Sequence, residues 1–449
     1  MQLNRREFLG AAALSAAAPK ERPNVLVFLS DQETERVDAS LLARPHRDRL
    51  DRHGTHFRQA WCATPQCSPA RGALWTGLWP HRTGLVANID AVGAHPLTPK
   101  TPSIGRVFRD AGYRTGYFGK WHLTENSQAK GEAFGFDTLD QRSNAEGDDG
   151  VARKAAEWIE AQGDQPWLAI VSILQPHDIY HYPDEAKKRR EANEPPYPIR
   201  KGMPAPKSDE TDLKSRPEPQ SLFLTQDQGT AVAGWDAQDW RRYRSYYYEL
   251  IEAADRSLGV VLDALDRAGQ TTRTVVAYTS DHGDGQGEHG LPFKGPFQYE
   301  ELLNIPLTIS HAGHLRARVS PALASQVDLL PTLCDMAGVA APTGVDGVSL
   351  RPVLRGERFE RQELFAEYHS KQKWANPIRT VRTERWKLNV YLDGGQELYD
   401  LKRDPHELRN LSGTDDHSQI EKDLLKRLEA HAKATEDKLW FESEETRGT

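Results

Sequence analysis

Asp31, Asp281 and His282 are the residues of this chain whose types suggest a metal centre. Each follows an apolar run that breaks off into polar sequence: "NVLVFLS" precedes Asp31-Gln32, and "TVVAYTS" precedes Asp281-His282. Two carboxylates brought together repel unless a cation lies between them, so a divalent metal is the natural occupant. Mostly oxygen ligands favour Ca²⁺ or Mg²⁺, and the imidazole keeps Mn²⁺ open. Arg71, Lys120 and Lys294 bring further positive charge. Together with the metal they make a pocket for a compact, highly charged tetrahedral anion. His122 and His177 are able to move protons at either side of such a group. Cys67, in "TPQCSPARGALWTG", lies just ahead of a helix start, because Pro69 suits a first turn. A thiol there faces exposed backbone N–H groups and the positive end of the helix dipole.

These residues need a scaffold that brings distant segments together. Four short apolar runs read as buried parallel strands: Asn24 to Ser30, Tyr113 to Gly119, Pro166 to Leu174 and Thr274 to Ser280. Helical patterns precede the last three, so strands and helices alternate as in an α/β domain around a mostly parallel sheet covered on both faces. The polar residues follow the strands in turn: Asp31, then Lys120 and His122, then His177-Asp178, then Asp281-His282. In open α/β sheets ligands sit outside the carboxyl ends of the strands, so four such ends converge on one site. Residues 187–234 are rich in proline and charge and read as a long excursion, either a solvated loop or one wall of a substrate cleft. From about Glu357 the pattern changes to short antiparallel strands and a closing amphipathic helix, a smaller α+β domain over 357–449. The catalytic domain is then 19–356.

The bulk properties narrow the function classes. At 449 residues the chain can bury a large core. A formal net charge of -7 argues against a nucleic-acid binder. No run beyond the first twenty residues is long and apolar enough to anchor the protein in a membrane. "NRREFLGAAALSAAAP" carries paired arginines, a weakly apolar alanine-rich run and an A-x-A site, the pattern of a twin-arginine export signal over residues 1–18. The mature protein is expected to start near Pro19 and to work in the periplasm or outside the cell. Three cysteines leave one unpaired, and Cys62 and Cys334 are expected as buried thiols.

Cys67-Ser68-Pro69-Ala70-Arg71 followed by "GALWTG" resembles the C-x-P-x-R signature of the formylglycine-dependent (type I) sulfatases. "GYFGKWHL", "TSDHG", "KGPFQYEELLNIPL" and "ELYDLKRDPHELRNL" are similar to further blocks of that family, in family order from about Pro23 to Leu411. The resemblance implies an alkaline-phosphatase-like fold and hydrolysis of a sulfate ester, of a carbohydrate or an aryl alcohol. It implies that a formylglycine-generating maturation enzyme, a transient partner, oxidises Cys67 to formylglycine, present as its hydrate. One hydroxyl of the hydrate, bound to the metal, would attack sulfur. His177 would protonate the departing alcohol, and the second hydroxyl, deprotonated with help from His122, would expel sulfate. Arg71 would orient the hydrate while Lys120 and Lys294 hold the sulfate oxygens. Asp31, Cys67, Asp281 and His282 would then be the metal ligands, with Ca²⁺ the foremost candidate.

One position departs from the family. Many relatives carry two consecutive aspartates after the first strand, whereas this chain has Gln32 in the second place. Loss of that charge leaves open whether Gln32 coordinates through its carbonyl or stands behind the ligands. Asp178, Asp284, Glu288 and His289 are charged neighbours without an assigned role. Other readings are a phosphonate monoester or phosphodiester hydrolase on the same scaffold, and a non-catalytic glycan-binding relative. Relatives acting on phosphorus tend to lack the lysine and histidine of the "GKWHL" block, which are present here as Lys120 and His122. Trp235, Trp240, Tyr246 and Trp374 are candidates for stacking on sugar rings.

Overall fold

A computed structural model describes residues 22–91, 94–125, 130–141, 146–208, 212–371, 374–392 and 394–441. The export-signal segment lies outside the described residues. No helix among the described residues is long and apolar enough to cross a membrane.

The strands are β1 (Asn24–Asp31), β2 (Gly54–Trp61), β3 (Arg114–Gly119), β4 (Thr138–Gln141), β5 (Trp167–Pro176), β6 (Thr274–Ser280), β7 (Asn304–Ile305), β8 (Leu307–His311), β9 (Arg318–Ser325), β10 (Glu363–Lys371), β11 (Trp374–Thr383), β12 (Trp386–Tyr391) and β13 (Gln396–Asp400). The first nine form one sheet in the order β4-β3-β5-β1-β6-β8-β2-β7, with β9 paired to β2. Pairs β1–β5, β1–β6, β3–β5, β3–β4 and β2–β9 are parallel, while β8 runs antiparallel to both β6 and β2. The sheet is mixed and mostly parallel.

β1 explains why its sequence is a continuous apolar run. Val25, Val27 and Leu29 point to a core shared with Trp75, Phe108 and Tyr117. Leu26 and Phe28 point to the opposite core, shared with Ala155, Ile159, Leu258 and Val261. A strand covered by helices on both faces has no polar side to display. The long helix Ala237–Arg267 lies on the second face and starts cleanly because the Asp236 side chain accepts from the N–H groups of Gln238 and Asp239.

The excursion differs from a solvated loop. It begins within helix Tyr182–Glu191, contains helix Glu218–Gln226 and buries Met203, Arg216, Gln220, Phe223 and Val232. Arg216 donates to the hydroxyl of Tyr299 at 2.8 Å and the carbonyl of Glu407 at 2.6 Å, and its guanidinium lies 4.9 Å from the Tyr299 ring centroid. These buried anchors fasten the excursion along its length, which its charge-rich composition conceals.

The second sheet is antiparallel in the order β10-β11-β12-β13. The closing helix runs Ser418–Thr435 and packs through Leu424, Leu428 and Ala432. It ends at Thr435, because Glu436 turns left-handed at φ 60° and Asp437 is held by Arg379 at 3.0 Å. The two sheets are stitched by His81 from the turn Pro80–Thr83. Its Nδ1 donates to Glu367 on β10 at 2.9 Å and its Nε2 to the Thr435 carbonyl at 3.0 Å. Cys62 and Cys334 are free, buried thiols, as expected.

Candidate active site

Helix Cys67–Thr76 opens over the carboxyl ends of β1 and β6. Cys67, 1% exposed, is its first residue, and Arg71 lies one turn further on, fully buried. Arg71 spends its donors on the scaffold: Nε to Asp281 at 3.0 Å, Nη2 to Asp31 at 3.0 Å, and Nη1 to Ser172 Oγ at 2.7 Å and the Lys120 carbonyl at 2.8 Å. It is therefore the internal counter-ion of the two acids and lies beneath the pocket, where the sequence suggested a cation facing an anion.

Lys120 follows Gly119, whose φ is +102° and where a Cβ would lie 1.9 Å from the Ser172 carbonyl oxygen. Only glycine allows that approach. The Lys120 ammonium donates to Asp31. His122, at φ 55°, and His177, just after β5, both face the Cys67 sulfur. Lys294 Nζ lies 2.8 Å from Cys67 Sγ, 2.9 Å from His282 Nε2 and 3.0 Å from Gln32 Oε1.

His282 donates its Nδ1 proton to the Gly283 carbonyl at 2.9 Å, and its Nε2 lies 3.2 Å from Cys67 Sγ and 3.6 Å from Asp281 Oδ1. Asp31, Cys67, Asp281 and His282 each place a ligand atom within 4.8 Å of the others, all four residues buried. The donor set of two carboxylates, one imidazole nitrogen and the Cys67 position suits a divalent cation.

The electrostatics follow from this crowding. Burial alone would push the Cys67 thiol up, but Lys120, Lys294 and His282 outweigh it and hold it well below the ordinary thiol range. Asp31 is likewise pulled below the usual carboxylate range, because Lys120, His177 and Arg71 overcome burial and the Cys67 charge. His177 is lowered chiefly by burial, with Lys120 and Lys294 adding to it.

Gln32 sits where the charge is missing. Its Nε2 donates to Asp284 Oδ2 at 2.8 Å and its carbonyl accepts from Lys294. Burial pushes Asp284 up to about 6. Asp284 thus stands behind Gln32, outside the cluster of four. Gln326 ties two loops of the site together, accepting from the Ala63 N–H at 3.1 Å and donating to the Asp281 carbonyl at 2.9 Å. Neither contact leaves a sequence signal, since the partners lie in distant segments.

A cavity of about 330 Å³ opens above the cluster, with Cys67, Lys120, His122, His177 and Lys294 in its lining. A larger cavity of about 820 Å³ lies between β9 and the second sheet. Charged residues there pair with neighbours, Arg361 with Asp328 and Arg427 with Glu363, so size does not mark the site. Tyr180 and Tyr368 line the smaller cavity. Trp235, Trp240 and Tyr246 instead pack the root of the excursion, Trp240 being 8% exposed and 5.0 Å from Trp235. The side chain of Trp374 lies outside the described residues.

Residues 23–339 match the Sulfatase family, and residues 287–434 match the family described as N-sulphoglucosamine sulphohydrolase, C-terminal. This chain belongs to the sulfatase family. Among curated proteins this sulfatase is similar to the Delta 4,5-hexuronate-2-O-sulfatase of Bacteroides thetaiotaomicron, 29% identical over 435 residues, covering 92% of this chain and 89% of that one. It is also similar to the choline-sulfatase of Rhizobium meliloti, 28% identical, covering 87% and 82%. The solved structure of a 2-O GAG sulfatase superposes with a TM-score of 0.81 at 27% identity over 93% of each chain. A phosphonate monoester hydrolase of Agrobacterium radiobacter shares the fold, with a TM-score of 0.78 at 22% identity over 92% of this chain and 96% of that one. The sulfatase is a sulfuric ester hydrolase with the alkaline-phosphatase-like fold, as the motifs implied. Membership implies, in general terms, a metal ion and a formylglycine.

Proposed function

We propose that this sulfatase, exported by its twin-arginine leader, hydrolyses a sulfate ester carried by a carbohydrate. Asp31, Asp281 and His282 would hold a divalent cation, Ca²⁺ foremost, beside Cys67 in its formylglycine form. The observation that carries the reading is the set of four ligand atoms within 4.8 Å of one another beneath a pocket lined by Lys120 and Lys294. The carbohydrate assignment draws on the relatives, named for action on hexuronate and glycosaminoglycan sulfates.

The cation and the formylglycine supply a nucleophilic oxygen acidic enough to act at neutral pH. The chain's own residues do the rest. Lys120 and Lys294 face the sulfate oxygens and stabilise charge as it builds on them. Arg71 holds Asp31 and Asp281 in place from below, which keeps two buried carboxylates from repelling. His177 gives a proton to the departing alcohol. Burial lowers its proton affinity, with Asp31 opposing and Lys120 and Lys294 adding to it, and a sulfate beside those two lysines would offset them and favour the protonated form the step needs. His122, whose Nδ1 is buried without a partner among the described residues, takes the proton on the other side.

The test uses protein made in a maturation-competent host. Peptide mass at Cys67 is expected to show the aldehyde, and inorganic sulfate is expected from an aryl sulfate in preference to turnover of a phosphonate ester. An intact thiol together with undiminished sulfate release would sink the nucleophile assignment. Faster turnover of the phosphonate ester would sink the substrate assignment.

A further inference from the structure

The chain carries a formal net charge of -7, yet one cavity far from Cys67 is lined by a surplus of cations. It encloses about 630 Å³ and lies where β1 and β6 begin, at the end of the sheet opposite the strand ends that carry the candidate active site. β6 alone is 7 residues long, so at roughly 3.3 Å per residue the two cavities are on the order of 20 Å apart.

Four arginines contribute to its wall. Arg22 precedes β1, Arg273 precedes β6, and Arg351 and Arg355 open and close the short helix Arg351–Arg355. Two histidines join them from the turn after β8, where the rings of His311 and His314 stack with centroids 4.0 Å apart. Among the described residues Asp335, near the end of helix Leu329–Ala337, is the only acid in the lining.

Three of the arginines are held loosely. Arg22 donates to the Ala111 carbonyl at 2.8 Å, a neutral acceptor. Arg273 reaches the Asp164 carboxylate at 3.4 Å and its carbonyl at 3.2 Å, and Arg355 reaches Glu357 at 3.8 Å. Both acids are exposed, and exposed ion pairs contribute little, so an oxyanion that offers a guanidinium two oxygens at once outcompetes them. Arg351 alone is committed, to the carboxylate of Asp335 and, at 3.0 Å, to its carbonyl. His311 makes a backbone hydrogen bond to Thr272, while its buried Nε2 has no partner among the described residues. Burial and the neighbouring His314 pull its imidazole down to about 4. An anion between the rings and the guanidiniums opposes that bias, because it favours the second proton His311 needs in order to donate from Nε2.

We propose that this cavity is a second, non-catalytic site for a sulfate group, free or carried on a sugar, held chiefly by Arg273, Arg355 and His311. A sulfuric ester hydrolase meets that group both on its substrate and as its product. The volume lies within the roughly 300 to 1,000 Å³ of ligand sites, which leaves space for a sugar ring beside the anion.

The test is titration calorimetry of the full-length protein with sodium sulfate at constant ionic strength. Arg273→Gln and Arg355→Gln together are expected to weaken one sulfate site at least about tenfold, while kcat and KM for an aryl sulfate stay unchanged. His311→Gln is expected to abolish the proton uptake that accompanies sulfate binding to the parent, read as a difference in heat between buffers of unlike ionisation enthalpy. A sulfated monosaccharide titrated into Cys67→Ala separates the sources. Tighter binding than inorganic sulfate assigns the cavity to the sugar-borne group, weaker binding assigns it to the free anion, and both support the site. If no sulfate site responds to the double substitution, the proposal falls. A drop in aryl sulfate turnover in that variant overturns it as well, because the two arginines would then serve the fold or the reaction rather than a separate site.

Discussion

His81 should make the junction between the two sheets sensitive to alkali. Burial disfavours its charged form, but Glu367 prevails, and the imidazole is raised from 6.5 to about 9. Glu367 is held well below its usual range by the same contact, so the pair is counted once. A shift of that size corresponds to roughly 3 kcal/mol of folding free energy. Because the folded-state value lies above the unfolded one, the stabilisation is complete below pH 6.5 and disappears as pH climbs through about 9. His369 and His431 nearby are lowered, chiefly by burial, so their contributions fade toward acid instead. The measurement is urea unfolding of the parent protein and of His81→Gln at steps from pH 6.5 to above 9. Subtracting the two series removes the other histidines. The gap is expected to be roughly 3 kcal/mol at the acid end and to shrink toward zero at the alkaline end. A gap that stays constant across the series would refute the ion-pair argument, leaving only a neutral hydrogen bond.

Cys67→Ala should abolish sulfate release while leaving the thermal unfolding midpoint little changed, which turnover and scanning calorimetry check side by side. Asp281→Asn should lose cation binding by titration calorimetry, because it removes a ligand charge from a site where Gln32 already replaces a carboxylate. It should also cost a few kcal/mol of stability, about what breaking a buried ion pair with Arg71 costs. Gly119→Ala places a methyl group 1.9 Å from the Ser172 carbonyl, so it should destabilise the fold by at least about 2 kcal/mol and lower turnover by displacing Lys120, as denaturation and kinetics would show.

The four strands that carry the site were legible because each is covered on both faces: β1, β5 and β6 are rich in Val, Ile and Leu, and β3 is apolar through Tyr117 and Phe118. β1 spans Asn24–Asp31 against an expected Asn24 to Ser30, and β6 matches Thr274–Ser280 residue for residue. Asp31, Lys120, His122, His177, Asp281 and His282 were legible for a related reason: polar residues that end a buried strand stand out, whereas Lys294 lies in the loop after β6. The excursion was not. Its anchors Arg216 and Gln220 are polar residues whose partners Tyr299, Tyr391 and Glu397 lie in later segments, and pattern reading has no access to such pairs. The same limit hid the pairing of Asp284 with Gln32 and of Gln326 with the Asp281 carbonyl. The place of Arg71 was misjudged because spacing reveals that a cation is present, without revealing that two carboxylates already claim it.

The depth of Cys67 also sets a chronology. With 1% of its surface reachable and its backbone wound into the opening turn of a helix, the sulfur presents nothing that another protein could grip. A catalyst that rewrites this side chain must meet it while the segment is still extended, in the interval between synthesis and collapse. On the export and maturation proposed above, a leader that carries finished cargo would shut that window on the cytoplasmic side, and a molecule crossing with its thiol intact would stay without its nucleophile.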